Sequence, residues 1–169
     1  INTVKDSGVK TFIVHARKGL LKGLSPRQNR NIPPLNYQKV YSLKEDFPEL
    51  EIIINGGIKT ISETKNHLNY VDGVMLGRAA YDDPFMLSNI DSEVFSDTKI
   101  EISRKDLLNE YLDYVHLMTK KGYDPKIMLK HIFGLKKGEK DAKRFRVKVA
   151  EIMNSSKLVE NKDELLSMV

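Results

Sequence analysis

A chain of 169 residues, 40% hydrophobic and 30% charged, has the make-up of a soluble globular protein of one domain, or one domain with an appendage. With no cysteine it has no disulfide, no thiolate metal site and no cysteine nucleophile of its own, which suits a cytoplasmic location, and no apolar run approaches the ~18–20 residues of a membrane span. The net charge of +5 sits wholly in the tail: residues 1–98 hold twelve basic and twelve acidic side chains, residues 99–169 sixteen and eleven, and residues 120–148 eleven and three. A basic segment beside a neutral one points to an anionic partner held by the second part, or else to a solvated helix face. No signal-peptide pattern opens the chain; it begins at Ile1, a few residues before a strand, and reads as a piece of something longer.

The first element is the strand KTFIVHA (10–16), followed by ARKGLLKGLSPRQNRNIPP (16–34). That stretch is too long for an ordinary βα connection of ~2–6 residues. A long stretch without secondary structure reads as a binding loop or as disorder, and Arg17, Lys18, Lys22, Arg27 and Arg30 favour a polyanion over a small acid as its ligand. Tyr37, Val40, Tyr41 and Phe47 recur at helical spacing and predict a helix over 36–47, stopped by Pro48. EIIIN (51–55) predicts a strand apolar on both faces, as in a buried parallel sheet. In TISETKNHL (60–68), Thr60 and Glu63 form a capping-box pattern that predicts a short helix. DGVMLG (72–77) predicts a third strand, and the segment after Arg78 begins helical. Alternation at this spacing implies parallel strands joined by right-handed crossovers.

Beyond residue 100 no strand is predicted. Leu107, Leu108, Tyr111, Leu112, Val115 and Met118 mark one amphipathic helix ended by Gly122; a short helix follows Pro125, and a third spans about 139–153. In that third helix Ala142, Phe145, Val149 and Ile152 share one side, and Lys140, Lys143, Arg144 and Lys148 the other. The composition changes near 92–102, which divides the chain into 1–95 and 96–169.

Parallel β/α folds place their ligands at the carboxyl ends of strands. Gly56 and Gly57 allow a positive-φ turn there with backbone N–H groups open to an anion, and Gly77-Arg78 brings a guanidinium to a helix start. Together they suggest a phosphate site, although a Gly-Gly pair after a strand also serves as a plain turn. His15 ends the first strand on the same rim; as packing or as ligand contact, both readings stand. His67, His116 and His131 lie inside helical patterns and are read as structural.

FIVHARKGLLKGLSPRQNRNIPPLNY, INGGIKT, VDGVMLGRAAYDDPF and the tail HIFGLKKGEKDAKRFR closely resemble the flavin-dependent tRNA-dihydrouridine synthases of the A type. The resemblance implies an FMN-binding (β/α)8 TIM barrel, here its last strands and helices, followed by an all-α helical tRNA-binding domain. It implies a cytoplasmic oxidoreductase of tRNA processing, which reduces the C5–C6 bond of D-loop uridines with NADPH as reductant. On that likeness His15, Asn55, Gly56, Gly57, Gly77 and Arg78 contact FMN, while Arg27, Arg30, Lys143 and Arg146 contact tRNA. The family's catalytic cysteine has no counterpart on this chain, so no catalytic residue is assigned and the chain alone is expected to be inactive. No metal and no membrane are implied, and the full-length enzyme is expected to be a monomer. Two alternatives remain at this point: a non-catalytic RNA-binding module, and an unrelated phosphate-binding barrel enzyme.

Overall fold

The computed structural model describes residues 1–96, 98, 101–155 and 161–169, which pack as two compact units, Ile1–Ala79 and Ala80–Val169. The first unit contains α1 (Asn2–Lys5), β1 (Thr11–His15), α2 (Pro26–Asn29), α3 (Tyr37–Asp46), β2 (Glu51–Asn55), α4 (Ile61–Leu68) and β3 (Gly73–Met75). Its three strands form one parallel sheet in the order β1-β2-β3.

Register decides which side chains share a face. Phe12, Ile52 on one level and Val14, Ile54 and Val74 on the next pack with Val40 of α3 and with Leu50, Ile58 and Val71, and Ile52 and Ile54 are wholly buried. The alternate residues fare differently. Ile53 lies across Gly73, but Ile13 is 59% and Met75 42% exposed, so the apolar second face has no cover among the described residues. The two-sided burial expected of β2 is therefore met on one side only, because both helices pack on the same face.

Local rules account for the helix ends. Thr60 accepts from the Glu63 amide at 3.1 Å while Glu63 accepts from the Thr60 amide at 3.1 Å, the reciprocal cap expected from the sequence. At the amino-terminal edge of the sheet, Lys44 of α3 donates to the Pro48 and Leu50 carbonyls and pairs with Asp72 at 2.9 Å. Asp72 also accepts from the Ile52 amide; burial opposes its charge, but these contacts hold its carboxyl below the usual carboxylate value.

The second unit is all helical among its described residues. It begins within α5 (Arg78–Asp82) and continues through a 3-10 turn (Pro84–Asn89), α6 (Ile90–Val94), α7 (Arg104–Lys120), α8 (Pro125–Leu129), α9 (Ala142–Ser155) and α10 (Lys162–Ser167). Leu108, Leu112 and Val115 of α7, Leu129 of α8, Phe145, Val149 and Ile152 of α9, and Leu165 of α10 belong to its core. Packing changes upstream of the shift in composition at 92–102: Phe85 packs on this helical core, the Arg104 guanidinium lies 4.0 Å over its ring, and Gly134 leaves no room for a Cβ against the Asp82 carbonyl. The helix α10 has no counterpart among the sequence expectations. Residues 97, 99, 100 and 156–160 lie outside the described residues, so the stretch around the expected boundary is described only in part.

Phe145 has no exposed surface. Phe145→Ala in the complete protein should lower folding stability by about 3–5 kcal/mol, from lost transfer energy plus the cavity left behind. Chemical denaturation measures this, and a loss under about 1 kcal/mol would mean that the core here closes over the gap.

Candidate functional site

The carboxyl ends of the strands bring the sequence-selected residues of the first unit together. His15 and Asn55 are register partners, and Asn55 is in turn level with Met75, so all three project from the uncovered face. The Ala16 amide donates to the Asn55 carbonyl at 2.7 Å and carries the ladder one residue past β1. The backbone then enters the left-handed region at Gly56 (φ 121°) and Gly57 (φ 77°), as the glycine pair requires. Space demands glycine too. A Cβ on Gly56 would stand 3.1 Å from His15 Cε1, and one on Gly57 2.5 Å from Leu35 Cδ1. Among the described residues the Gly57 amide meets no acceptor.

Gly77 behaves otherwise. Its φ is not positive and an added Cβ would meet nothing within 4 Å, so local geometry does not require glycine there. The helix that follows has only five residues, so its dipole adds little and the weight of this corner falls on the Arg78 guanidinium. That group donates to Asn31 Oδ1 at 2.8 Å, while Asn31 Nδ2 donates to the Arg27 carbonyl at 3.1 Å.

The basic segment 16–34 is ordered by its own polar side chains. Ser25 and Gln28 form a capping box around α2, whose Pro26 occupies the first turn. Asn29 pairs both backbone groups of Leu20, accepting from its amide at 2.8 Å and donating to its carbonyl at 2.9 Å. Arg17 donates to the Pro33 carbonyl and is bridged through its backbone to Leu35. The sequence reading takes the stretch as a long loop without secondary structure; α2 is a single turn, too short to show an apolar period.

Electrostatics converge on one ring. Burial lowers the His15 pKa below its ordinary 6.5, and the positive charges of Arg17, Arg30 and Arg78 lower it further. His15 is therefore neutral near pH 7, at the centre of a field that three guanidiniums make positive. Arg17 and Tyr37 are the rim residues that sequence reasoning missed as site components: Arg17 counted only as loop charge, and Tyr37 only as an apolar helix position. The Tyr37 hydroxyl donates to the Gly56 carbonyl at 2.9 Å.

In the helical unit Lys140, Lys143, Arg144 and Arg146 are exposed, whereas Lys148 is half-buried and pairs with Glu164 at 2.6 Å. Lys148 is thus spent inside the fold and leaves the free basic face. Arg146 lines a cavity of about 360 Å³ with Tyr81, Asp82, Lys130 and Lys137, and its three cations have no carboxylate partner among the described residues. Among the described residues no group of three or more histidine, aspartate or glutamate side chains could hold a metal ion, and no helix is long and apolar enough to cross a membrane.

A lowered histidine pKa means that the unfolded chain binds the proton more readily. The His15 contribution to stability is therefore present above about pH 6.5 and lost as pH falls below it. In an NMR titration of the complete protein His15 should titrate below 6.5 and move upward on addition of inorganic phosphate, whose charge offsets the guanidiniums. A midpoint that ignores phosphate would separate His15 from the anion site.

Comparison with known proteins bears on these observations. The dihydrouridine synthase (Dus) family model matches residues 1–168. Curated relatives called tRNA-dihydrouridine(20/20a) synthase include one from Pseudomonas putida, 44% identical over 146 residues, which are 86% of this chain and 44% of the relative. One from Haemophilus ducreyi is 46% identical over 140 residues, 83% of this chain and 43% of the relative. Another from Shewanella oneidensis is 42% identical over 151 residues, 89% and 45% of the two chains. This chain thus spans somewhat under half the length of the relatives it matches.

Proposed function

Since the chain belongs to the dihydrouridine synthase family, we propose that it forms part of a flavin-dependent tRNA-dihydrouridine synthase, an oxidoreductase acting on D-loop uridines of tRNA with FMN as cofactor and NADPH as reductant. The observation that carries this reading is the rim: a Gly57 amide without an acceptor among the described residues, next to Gly56, which lies against His15, the ring on which the charges of Arg17, Arg30 and Arg78 act. This donor set suits a phosphate monoester, which takes charge-assisted hydrogen bonds from guanidinium and backbone N–H alike. Asn55, Gly56, Gly57 and Arg78 are assigned to the FMN phosphate side, with Gly77 as their neighbour, and neutral His15 to the flavin contact. When bound, FMN supplies the electrons that reduce the uracil C5–C6 bond.

The uncovered apolar face of Ile13, Ile53 and Met75 is the face that a closed (β/α)8 barrel would turn inward, and it supports assigning the first unit to such a barrel. The helical unit is assigned to tRNA. Exposed Lys143 and Arg146, with the unpaired cations of the neighbouring cavity, suit a folded RNA recognised by backbone and shape. Arg27 and Arg30, on and just after α2, are assigned to the same RNA from the first unit. The target base must leave its stack to be reduced, and a broad grip on the remaining RNA offsets that cost of a few kcal/mol. The chain's own residues include no thiol to protonate C5, and alone it is read as inactive.

Two experiments on the complete protein test these assignments. Arg78→Ala should weaken FMN roughly 10–150-fold, the loss of one charge-assisted contact to phosphate, and spare riboflavin. Equal loss of both flavins, or of neither, would remove Arg78 from the phosphate site. Replacing Lys143 and Arg146 together by glutamate should weaken tRNA binding and flatten its dependence on salt, because fewer counterions are released. Titrations at two salt concentrations measure the slope; an unchanged slope would place the RNA elsewhere. A complete protein that binds tRNA and retains no flavin would instead be a binding module.

A further inference from the structure

The carboxyl-end turn of β2 rests on an aromatic group that its glycines do not explain. The rings of Tyr37 and His67 meet edge to face with centroids 4.5 Å apart, and the Tyr41 hydroxyl bonds His67 Nδ1 at 2.6 Å. Tyr41 is itself stacked on Tyr70, 4.4 Å between centroids. His67 is only 6% exposed, and burial holds its pKa below the ordinary value, so the ring that meets Tyr37 is a buried, neutral imidazole. The His67 ring, itself held by Tyr41, therefore packs on Tyr37, whose one polar atom ends at the turn. There it donates to the Gly56 carbonyl at 2.9 Å and lies 3.2 Å from where a Gly57 Cβ would stand. Burial raises the phenol pKa, which keeps the donor proton in place.

The consequence follows from peptide planarity. In a trans peptide the C=O of Gly56 and the N–H of Gly57 point in opposite directions across one rigid plane. Glycine at both φ positions leaves that plane free to rotate, since neither residue has a Cβ to oppose it. A hydrogen bond that anchors the carbonyl toward α3 aims the amide the other way, and this is the amide without an acceptor among the described residues.

We propose that Tyr37 is the positioning residue of the anion site: its hydroxyl fixes the Gly56–Gly57 peptide so that the Gly57 N–H is presented to the phosphate group of the bound flavin. The inference rests on the FMN reading above and adds a residue that selects the phosphorylated flavin without touching it.

The test is Tyr37→Phe in the complete protein, which keeps the ring against His67 and removes only the donor. FMN affinity should fall about 3- to 10-fold, the worth of one neutral hydrogen bond, while riboflavin affinity stays the same. The Gly57 amide proton should shift downfield on adding FMN to the wild type and much less in the variant. Tyr37→Leu, which also removes the ring packed on His67, should weaken both flavins and serves as the comparison for general damage. If Tyr37→Phe keeps the wild-type preference for FMN, or lowers both affinities alike, the positioning role fails and the FMN reading stands. If the wild-type protein binds neither flavin, the FMN reading fails and the Tyr37 inference with it.

Discussion

The parallel register of β1 on β2 sets His15 beside Asn55, and the rim is built outward from that pair. One more ladder bond, Ala16 to the Asn55 carbonyl, ends the pairing; the Arg17 amide then turns back to the His15 carbonyl at 2.8 Å. The Asn36 amide closes on the Ala16 carbonyl at 2.7 Å, so the long basic segment leaves and re-enters the sheet within two residues. This closure places Leu35 directly over Gly56 and Gly57. The glycines are needed because a register and a loop closure press a histidine and a leucine onto the same two residues, and only a bare backbone fits between them.

That geometry also separates two uses of positive charge. Lys44, Arg104, Lys148 and Lys162 each meet a carboxylate, at 2.9, 3.1, 2.6 and 2.5 Å, and all four join elements of the fold. Such pairs contribute little individually, about 0–1 kcal/mol at the surface, but they consume charge that a partner could otherwise use. Arg17 and Arg78 are held instead by carbonyl oxygens, of Pro33 and of the Asn31 side chain, which orient a guanidinium without neutralising it. Neutral acceptors leave the charges of Arg17 and Arg78 in force, and with Arg30 they act together on His15, three like charges that an anion would offset. What sets Arg17 and Arg78 apart is therefore the absence of a carboxylate: Lys44 also donates to carbonyls, but its charge is met by Asp72, whereas theirs is not neutralised among the described residues.

Much of this was legible in the sequence because short-range rules decide it. The Thr60–Glu63 cap, the apolar spacing of α7 and α9, and the positive φ of Gly56 and Gly57 each follow from a few adjacent residues. What escaped depends on tertiary partners. Lys148 lies on the polar side of its helix by periodicity, and only the approach of α10 makes it an ion-pair partner. Gly77 looks like its counterparts in sequence, but its backbone is ordinary and its surroundings open. The stretch 80–95 reads as part of the β/α pattern by composition, yet Phe85 packs with the helical unit, because burial follows contacts and not local charge.

Tyr37 shows why a core pattern can conceal part of a site. It stands at an i, i+4 position with Tyr41 and packs against the buried core of the first unit, so periodicity accounts for its ring completely. A phenylalanine would satisfy the same pattern. The hydroxyl is the part that periodicity does not require, and it finds its acceptor nineteen residues away, at the turn where two glycines leave the peptide plane undetermined. Burying a phenol without a partner costs free energy, so a tyrosine on a half-buried helix face implies an acceptor that the helix itself cannot supply. The acceptor here is the carbonyl of the most conformationally free residue pair in the unit. The aromatic group thus restrains the turn at the point where the glycines release it, and the packing of α3 and the geometry of the rim cannot vary independently.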